Sequence, residues 1–267
     1  MDFLFLGTGT STGVPMIGCE CAVCRSGDRR DRRRRCGALL TASDGTALLI
    51  DTPPELREAC LEFGVKRVDA IALTHAHMDH VAGFDDVRRF NTIKGLEAGS
   101  RSAVLPCWAL NETIDQMHHI FPYISEQAGA MGLYRPRIEF RSAAKEFSVG
   151  SLSVRAVPAQ HMFPCCGYLF EEPSGARLGY MSDTHNLGDD AIAAFQGVDV
   201  MVLGCLRERE HPTHLSLAGA LELIGRIRPR RAFFTHLCHD LSHEQWIERL
   251  RGTVCQPAFD GLELHIP

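Results

Sequence analysis

The segment Thr74-His75-Ala76-His77-Met78-Asp79-His80 packs three imidazoles and a carboxylate into six positions, directly after the apolar run Ile71-Ala72-Leu73. Crowding these groups is costly, because each must shed water and the charges repel, unless a cation offsets both effects. Neutral imidazole nitrogen and carboxylate oxygen form a donor mixture that zinc and manganese accept. Alternate residues of an extended segment face the same way, so His75 and His77 can grip one ion while the following turn aims Asp79 and His80 at another. The chain is thereby constrained to a fold in which a buried strand ends at a metal site.

The arrangement recurs: Tyr180-Met181-Ser182 runs into Asp183, and Ala232-Phe233-Phe234-Thr235 runs into His236. Polar side chains at several strand ends make a rigid floor for a site assembled from distant parts of a chain. Apolar patterning predicts strands at Phe3 to Leu6, Gly37 to Thr41, Ala47 to Asp51, Ala70 to Thr74, Ser153 to Val157, Gly167 to Glu171, Arg177 to Ser182 and Val200 to Leu203. Helices are predicted at Pro54 to Phe63, Leu217 to Ile227 and His243 to Leu250. Interleaved this way, the elements give an α/β protein with sheet at its centre. No Pro/Ser/Gly-rich linker divides the sequence, which is read as a single domain, 1–267. The stretch 93–138, with His118 and His119 near its middle, shows no clear period and is read as a substrate-facing insertion.

Cys19, Cys21 and Cys24 place three thiols within six residues, a spacing that folds around one tetrahedral ion. His239, three residues beyond His236, is the expected fourth ligand of a structural zinc held by the loop at about 18–36, with Cys238 as the alternative.

A net charge of −5 gives no general electrostatic affinity for nucleic acid. The local exception is Arg29, Arg30, Arg32, Arg33, Arg34 and Arg35, interrupted only by Asp31 and read as a solvated loop in preference to a phosphate contact. No apolar stretch is long enough to span a bilayer, so no membrane partner is expected. Eleven cysteines, after a first strand without a basic leader, are expected to be reduced thiols in the cytoplasm. Thr8-Gly9-Thr10-Ser11-Thr12-Gly13 lacks the lysine and spacing of a P-loop and reads as a turn shaping the site.

His-x-His-x-Asp-His after an apolar strand, followed by His161, Asp183 and His236, resembles the metallo-β-lactamase superfamily over nearly the whole chain. The resemblance implies a four-layer αββα sandwich and two divalent ions, manganese or zinc. His75, His77 and His161 would bind one, Asp79, His80 and His236 the other, and Asp183 would bridge both. Such a pair lowers the pKa of a bridging water, so that hydroxide attacks the scissile group, and Asp79 is implied to orient it as well as to bind metal.

The cysteine loop with His239, and the run from Asp79 through Asp85, Asp86, Arg88 and Arg89 to Asn91, further resemble PhnP-type phosphodiesterases of bacterial phosphonate breakdown. These open phosphoribosyl 1,2-cyclic phosphate. The resemblance implies hydrolysis of a small cyclic phosphodiester to a phosphomonoester, and a homodimer. His214 is implied to contact the substrate phosphate or protonate the leaving oxygen; the alternative is that it caps the helix beginning near Ser216. Two other readings stand beside this one. An RNA-processing nuclease of the tRNA 3′-end type shares the metal ligands, with the arginine run in its favour, and a non-catalytic zinc- or redox-responsive protein lies outside the enzymes.

Overall fold

A computed structural model describes residues 1–124 and 135–267. The first half carries β1 (Asp2–Gly7), β2 (Gly37–Thr41), β3 (Ala47–Ile50), α1 (Leu56–Glu62), β4 (Ala70–Ala72), α2 (Met78–Val81), α3 (Arg88–Glu97), β5 (Leu105–Ala109), α4 (Asn111–Ile120) and β6 (Ile138–Ser142). The second half carries β7 (Phe147–Val149), β8 (Leu152–Pro158), β9 (Cys166–Glu171), β10 (Arg177–Met181), α5 (Asp189–Phe195), β11 (Val200–Gly204), α6 (Leu217–Ile227), β12 (Arg231–Thr235), α7 (His243–Arg249), β13 (Cys255–Pro257) and β14 (Glu263–His265). Two seven-stranded sheets result, ordered β14-β1-β2-β3-β4-β5-β6 and β13-β12-β11-β10-β9-β8-β7. Each half builds one sheet, and β14 returns to pair antiparallel with β1.

Many strands read as unbroken apolar runs because their alternating side chains serve two different cores. Phe3 and Phe5 of β1 meet Leu178 and Tyr180 of β10 and Val200 and Val202 of β11 between the sheets. Leu6, Leu49 and Ile71 face outward beneath Leu56 and Ala59 of α1 and Met117 of α4. Met181, Met201 and Leu203 face the other way, beneath Phe195 of α5, Leu223 and Ile224 of α6 and Trp246 of α7. Helix, sheet, sheet, helix is the αββα sandwich expected from the sequence. Among the described residues, no helix is long and apolar enough to cross a membrane.

Strands β3, β4 and β5 run parallel, as do β10, β11 and β12. Their C-terminal ends are where the backbone stops pairing and polar side chains can converge. Asp51, His75, Asp183 and His236 each follow one of these ends within three residues.

The stretch 93–138 is not an appended insertion where it is described: β5 sits between β4 and β6, and α4 packs on the outer face. Pro106 interrupts the period of β5, and most of β6 is solvent-facing, which is why the pattern is hard to read. Asn91 closes this region from a buried position, its amide donating to the Ala103 and Arg137 carbonyls and its oxygen accepting from Arg137 N. Residues 125–134 of that stretch lie outside the described residues.

The arginine run departs from a solvated loop in one respect. Arg33 is buried, donating to the Cys238 carbonyl at 2.9 Å beside Asp31, whose carboxylate accepts from His243 N at 2.6 Å. The others pair with nearby acids, Arg29 and Arg34 with Glu62, Arg30 with Asp28 and Arg35 with Glu55, while Arg32 is exposed. The loop is thus a clasp holding the N-terminal segment to residues 238–243.

His243 is buried against Phe259, its Nδ1 has no hydrogen-bond partner, and burial together with Arg30 and Arg33 pushes its pKa down to about 4. An unfolded chain takes up this proton near pH ~6.5. Its contribution to stability is therefore complete above that pH and is lost as pH falls toward 4, by ~2 kcal/mol. Urea unfolding at pH 7 and 4.5 should show this loss, and His243→Leu should lose less; an equal loss in both proteins would place the acid sensitivity elsewhere.

Candidate metal centre

Residues from four separate segments bring their donor atoms together at the strand ends. His75, His77 and His161 form one group with donor atoms within 4.8 Å of one another; Asp79, His80 and His236 form a second. Asp183 joins them: its carboxylate lies within 4.8 Å of the donor atoms of His75 and His161, with Oδ2 at 3.2 Å from His80 Nε2 and Oδ1 at 3.2 Å from His236 Nε2. Asp79 Oδ2 is 3.5 Å from His80 Nε2 and 3.7 Å from His236 Nε2. Burial alone would raise the Asp183 carboxyl, but His236 and His80 hold it well below the usual carboxylate range.

Asp51 organises the buried half of this centre. Its carboxylate accepts from Thr74 N at 2.8 Å, from Thr74 Oγ1 at 2.9 Å and from His80 Nδ1 at 2.7 Å. With its hydrogen committed to Asp51, the Thr74 hydroxyl accepts from His75 Nδ1 at 3.0 Å. One carboxylate thus fixes the tautomers of two imidazoles and turns both Nε2 lone pairs inward. His161 is fixed the same way, Nδ1 donating to the Thr213 carbonyl at 3.1 Å. Asp51 is missing from the sequence-based set, although its signal was the one used elsewhere: an apolar strand running into an acid. At φ 59° it takes the left-handed backbone, as His236 does at 58°.

A cation fits this arrangement. His80 Nε2, His161 Nε2, Asp183 Oδ2 and both ring nitrogens of His236 are buried without a hydrogen-bond partner. Leaving so many polar atoms unsatisfied costs on the order of 1–3 kcal/mol each. Inward-facing nitrogen and carboxylate oxygen with no protein donor opposite them are what a divalent ion of borderline character satisfies.

His214 stands at the edge of the same cluster, Nδ1 3.5 Å from Asp183 Oδ1 and its ring stacked on His236 at 4.7 Å. Burial and His236 push its pKa down to about 3, so the imidazole is neutral. It does not cap the following helix: Ser216 does, its hydroxyl accepting from Gly219 N. The glycine-rich turn also has a structural task. A side chain at Gly9 would meet the Arg33 carbonyl at 2.7 Å, because this loop lies flat against the clasp while Thr8 and Thr10 hold Leu237 by backbone bonds.

The structure brings Cys19, Cys21, Cys24 and His239 together. His239 Nδ1 is 3.3, 3.4 and 3.6 Å from the sulfurs of Cys19, Cys21 and Cys24. Zinc bound at about 2.3 Å to sulfur and about 2.0 Å to nitrogen sets a tetrahedral S···N edge of about 3.5 Å. The Cys24 N–H and His239 pull the Cys21 thiol down to about 6, toward the thiolate a metal requires. Cys238 accepts from Asp240 N instead and takes no part in the cluster.

Comparison with known proteins agrees with the fold. A family profile described as beta-lactamase superfamily domain matches residues 46–237. The crystal structure of a diphosphatase from the PhnP family is 34% identical, covers 100% of this chain and 98% of its own, and superposes with a TM-score of 0.86. An octanoyltransferase of Porphyromonas gingivalis is 32% identical over 98% of this chain, and the chain spans 51% of that protein's length. Human tRNase Z, short form, is 17% identical with full coverage of both chains and a TM-score of 0.70, a likeness of fold alone.

Two outcomes are expected. Cys21→Ser should lower zinc content by about one ion per chain by elemental analysis and destabilise the fold, since structural zinc contributes folding energy; unchanged zinc would exclude the Cys₃His site. Asp51→Asn should weaken affinity at the histidine cluster 10- to 100-fold in chelator competition, because the acceptor that orients His75 and His80 is impaired. Native affinity in that variant would mean the rings are fixed without it.

Proposed function

Since the chain belongs to the metallo-β-lactamase superfamily, and within it to the PhnP family, we propose that it is a metal-dependent hydrolase of small cyclic phosphodiesters such as phosphoribosyl 1,2-cyclic phosphate. The observation that carries this reading is the central placement of Asp183, whose carboxylate lies within 4.8 Å of the donor atoms of His75 and His161 in the first group and 3.2 Å from those of His80 and His236 in the second. His75, His77 and His161 would hold one divalent ion, manganese or zinc, and Asp79, His80 and His236 a second, with Asp183 shared. Bound there, the ions supply Lewis acidity toward phosphoryl oxygen and make water acidic enough to attack near neutral pH.

The chain's own groups do the positioning. Asp51 and Thr213 keep the imidazoles facing the substrate. Asp79, more exposed than His80 and His236, accepts a hydrogen from the attacking water and aligns it with phosphorus. The water oxygen bonds to phosphorus and gives up a proton, the ring P–O bond breaks, and the departing alkoxide takes up one proton in exchange, leaving a phosphomonoester. In this reading His214, 3.5 Å from Asp183, donates its ring N–H to a phosphoryl or leaving oxygen, and as a neutral imidazole it does so without adding charge beside Asp183.

A tRNA-processing role needs a free basic surface, whereas five of the six loop arginines face carboxylates of this chain. The convergence of seven donor groups on one centre likewise favours catalysis over a passive thiol sensor.

³¹P NMR of manganese- or zinc-loaded protein with phosphoribosyl 1,2-cyclic phosphate should show conversion to a phosphomonoester, and Asp183→Ala should abolish it. Retained activity in the variant would rule out a shared carboxylate. Inert substrate together with cleavage of a tRNA precursor would replace the reading with the nuclease.

A further inference from the structure

Three of the candidate ligand rings are held from behind through Nδ1, His80 by Asp51, His75 by the Thr74 hydroxyl and His161 by the Thr213 carbonyl. His236, the remaining buried ring, is not. Its Nε2 faces Asp183 at 3.2 Å and Asp79 at 3.7 Å, while its Nδ1 is buried with no hydrogen-bond partner among the described residues. An ion satisfies Nε2 only, so the outer side of the ring lacks the acceptor that usually fixes a metal-binding imidazole. What lies against it is another ring. His214 is stacked on His236, with centroids 4.7 Å apart and planes 19° apart, whereas the His80 ring, also nearly parallel, is 6.0 Å away.

This platform is anchored by main chain on both sides. His214 follows Thr213, whose carbonyl accepts from His161 Nδ1 at 3.1 Å and whose N–H donates to His211 Nδ1 at 3.3 Å. It precedes Leu215, whose carbonyl accepts from Leu206 N at 3.0 Å; the Leu206 carbonyl in turn accepts from Cys238 N at 3.0 Å. Leu206 thereby joins the segment that carries His214 to the one that carries His236, and the separation of the two rings is set by backbone hydrogen bonds. His161 belongs to the first donor group and His236 to the second, so one dipeptide touches a ligand of each.

We infer that Thr213-His214 is a clamp shared by both metal positions, orienting His161 through the Thr213 carbonyl and His236 through the face of the His214 ring. His214 is then a positioning residue of the metal centre, a task distinct from contact with a substrate phosphate. The inference rests on reading His236 as a metal ligand and holds whatever the substrate is. The clamp needs a flat ring and no N–H, since stacking acts through the ring faces. The rival explanation is polar, because His214 Nδ1 is 3.5 Å from Asp183 Oδ1. Three variants separate the two: His214→Phe keeps the ring without the nitrogen, His214→Asn keeps a nitrogen at the position of Nδ1 without the ring, and His214→Ala removes both.

Manganese titration, with free ion read by electron paramagnetic resonance, gives the two stepwise dissociation constants of the histidine cluster; the thiol cluster selects softer ions. His214→Ala and His214→Asn should raise one constant about 3- to 10-fold, the range that loss of a stacked pair produces, and leave the other within twofold. His214→Phe should stay within twofold of native in both. The clamp is overturned if His214→Ala binds as the native protein does, if His214→Phe is as weak as His214→Ala, or if both constants shift alike, which is what a general loosening of the fold produces. Native protein that takes up no divalent ion at the histidines overturns the clamp and the hydrolase reading together, whereas two native ions with constants indifferent to His214→Ala overturn the clamp alone.

Discussion

The structure turns on a carboxylate with no room to be solvated. Asp183 is buried between His80 and His236, close to Asp79, at a point where two parallel-stranded blocks present their strand ends to each other. Removing a charged group from water is expensive unless opposite charge stands beside it. Much of the surrounding architecture serves to bring that opposite charge there and to keep water-starved lone pairs pointing at one place. The sandwich supplies stiffness, because each strand is gripped from both faces by different cores. The loops supply chemistry, because only after the strands end are side chains free to converge.

Asp51 shows how economical such an arrangement can be. It touches neither Asp183 nor, in the proposed chemistry, the substrate, yet it sets the proton positions of His75 and His80 through one hydroxyl and one direct hydrogen bond. Three hydrogen bonds at a fully buried carboxylate leave little freedom. The orientation of half the centre is therefore decided before any ion arrives, which limits the reorganisation that binding requires.

How much of this was legible in the sequence depended on the kind of signal. The histidine cluster, Asp183 and His236 could be read because each follows an apolar run, and eight predicted strands appear with no end displaced by more than two residues. Strand β5 escaped because Pro106 breaks its period, and β6 because an edge strand facing solvent needs few apolar residues. Cys19, Cys21 and Cys24 stand out by spacing, which survives without knowledge of the fold, and the structure brings His239 Nδ1 within 3.6 Å of all three sulfurs. Arg33 was not found, since its task depends on a partner 205 residues away that no local pattern announces, whereas Asp51 carried the apolar-strand signal and was passed over because its partners His80 and Thr74 are brought to it only by the fold. Asn91, part of a suggestive motif, proved to bind backbone carbonyls and not a ligand cavity.

His236 and His239 are separated by only three peptide units, Leu237 is stitched to the glycine turn on both sides of its peptide, and Arg33 holds the carbonyl of Cys238. A thiol-rich pole and an imidazole-rich pole are consequently two ends of one short rigid lever. Soft sulfur donors retain zinc, while nitrogen and oxygen donors exchange among several divalent ions. With metal in both, the same four residues would couple a slowly exchanging pole to a readily exchanging one, so that a change of ion at the imidazole end would leave its geometry fixed by the thiol end.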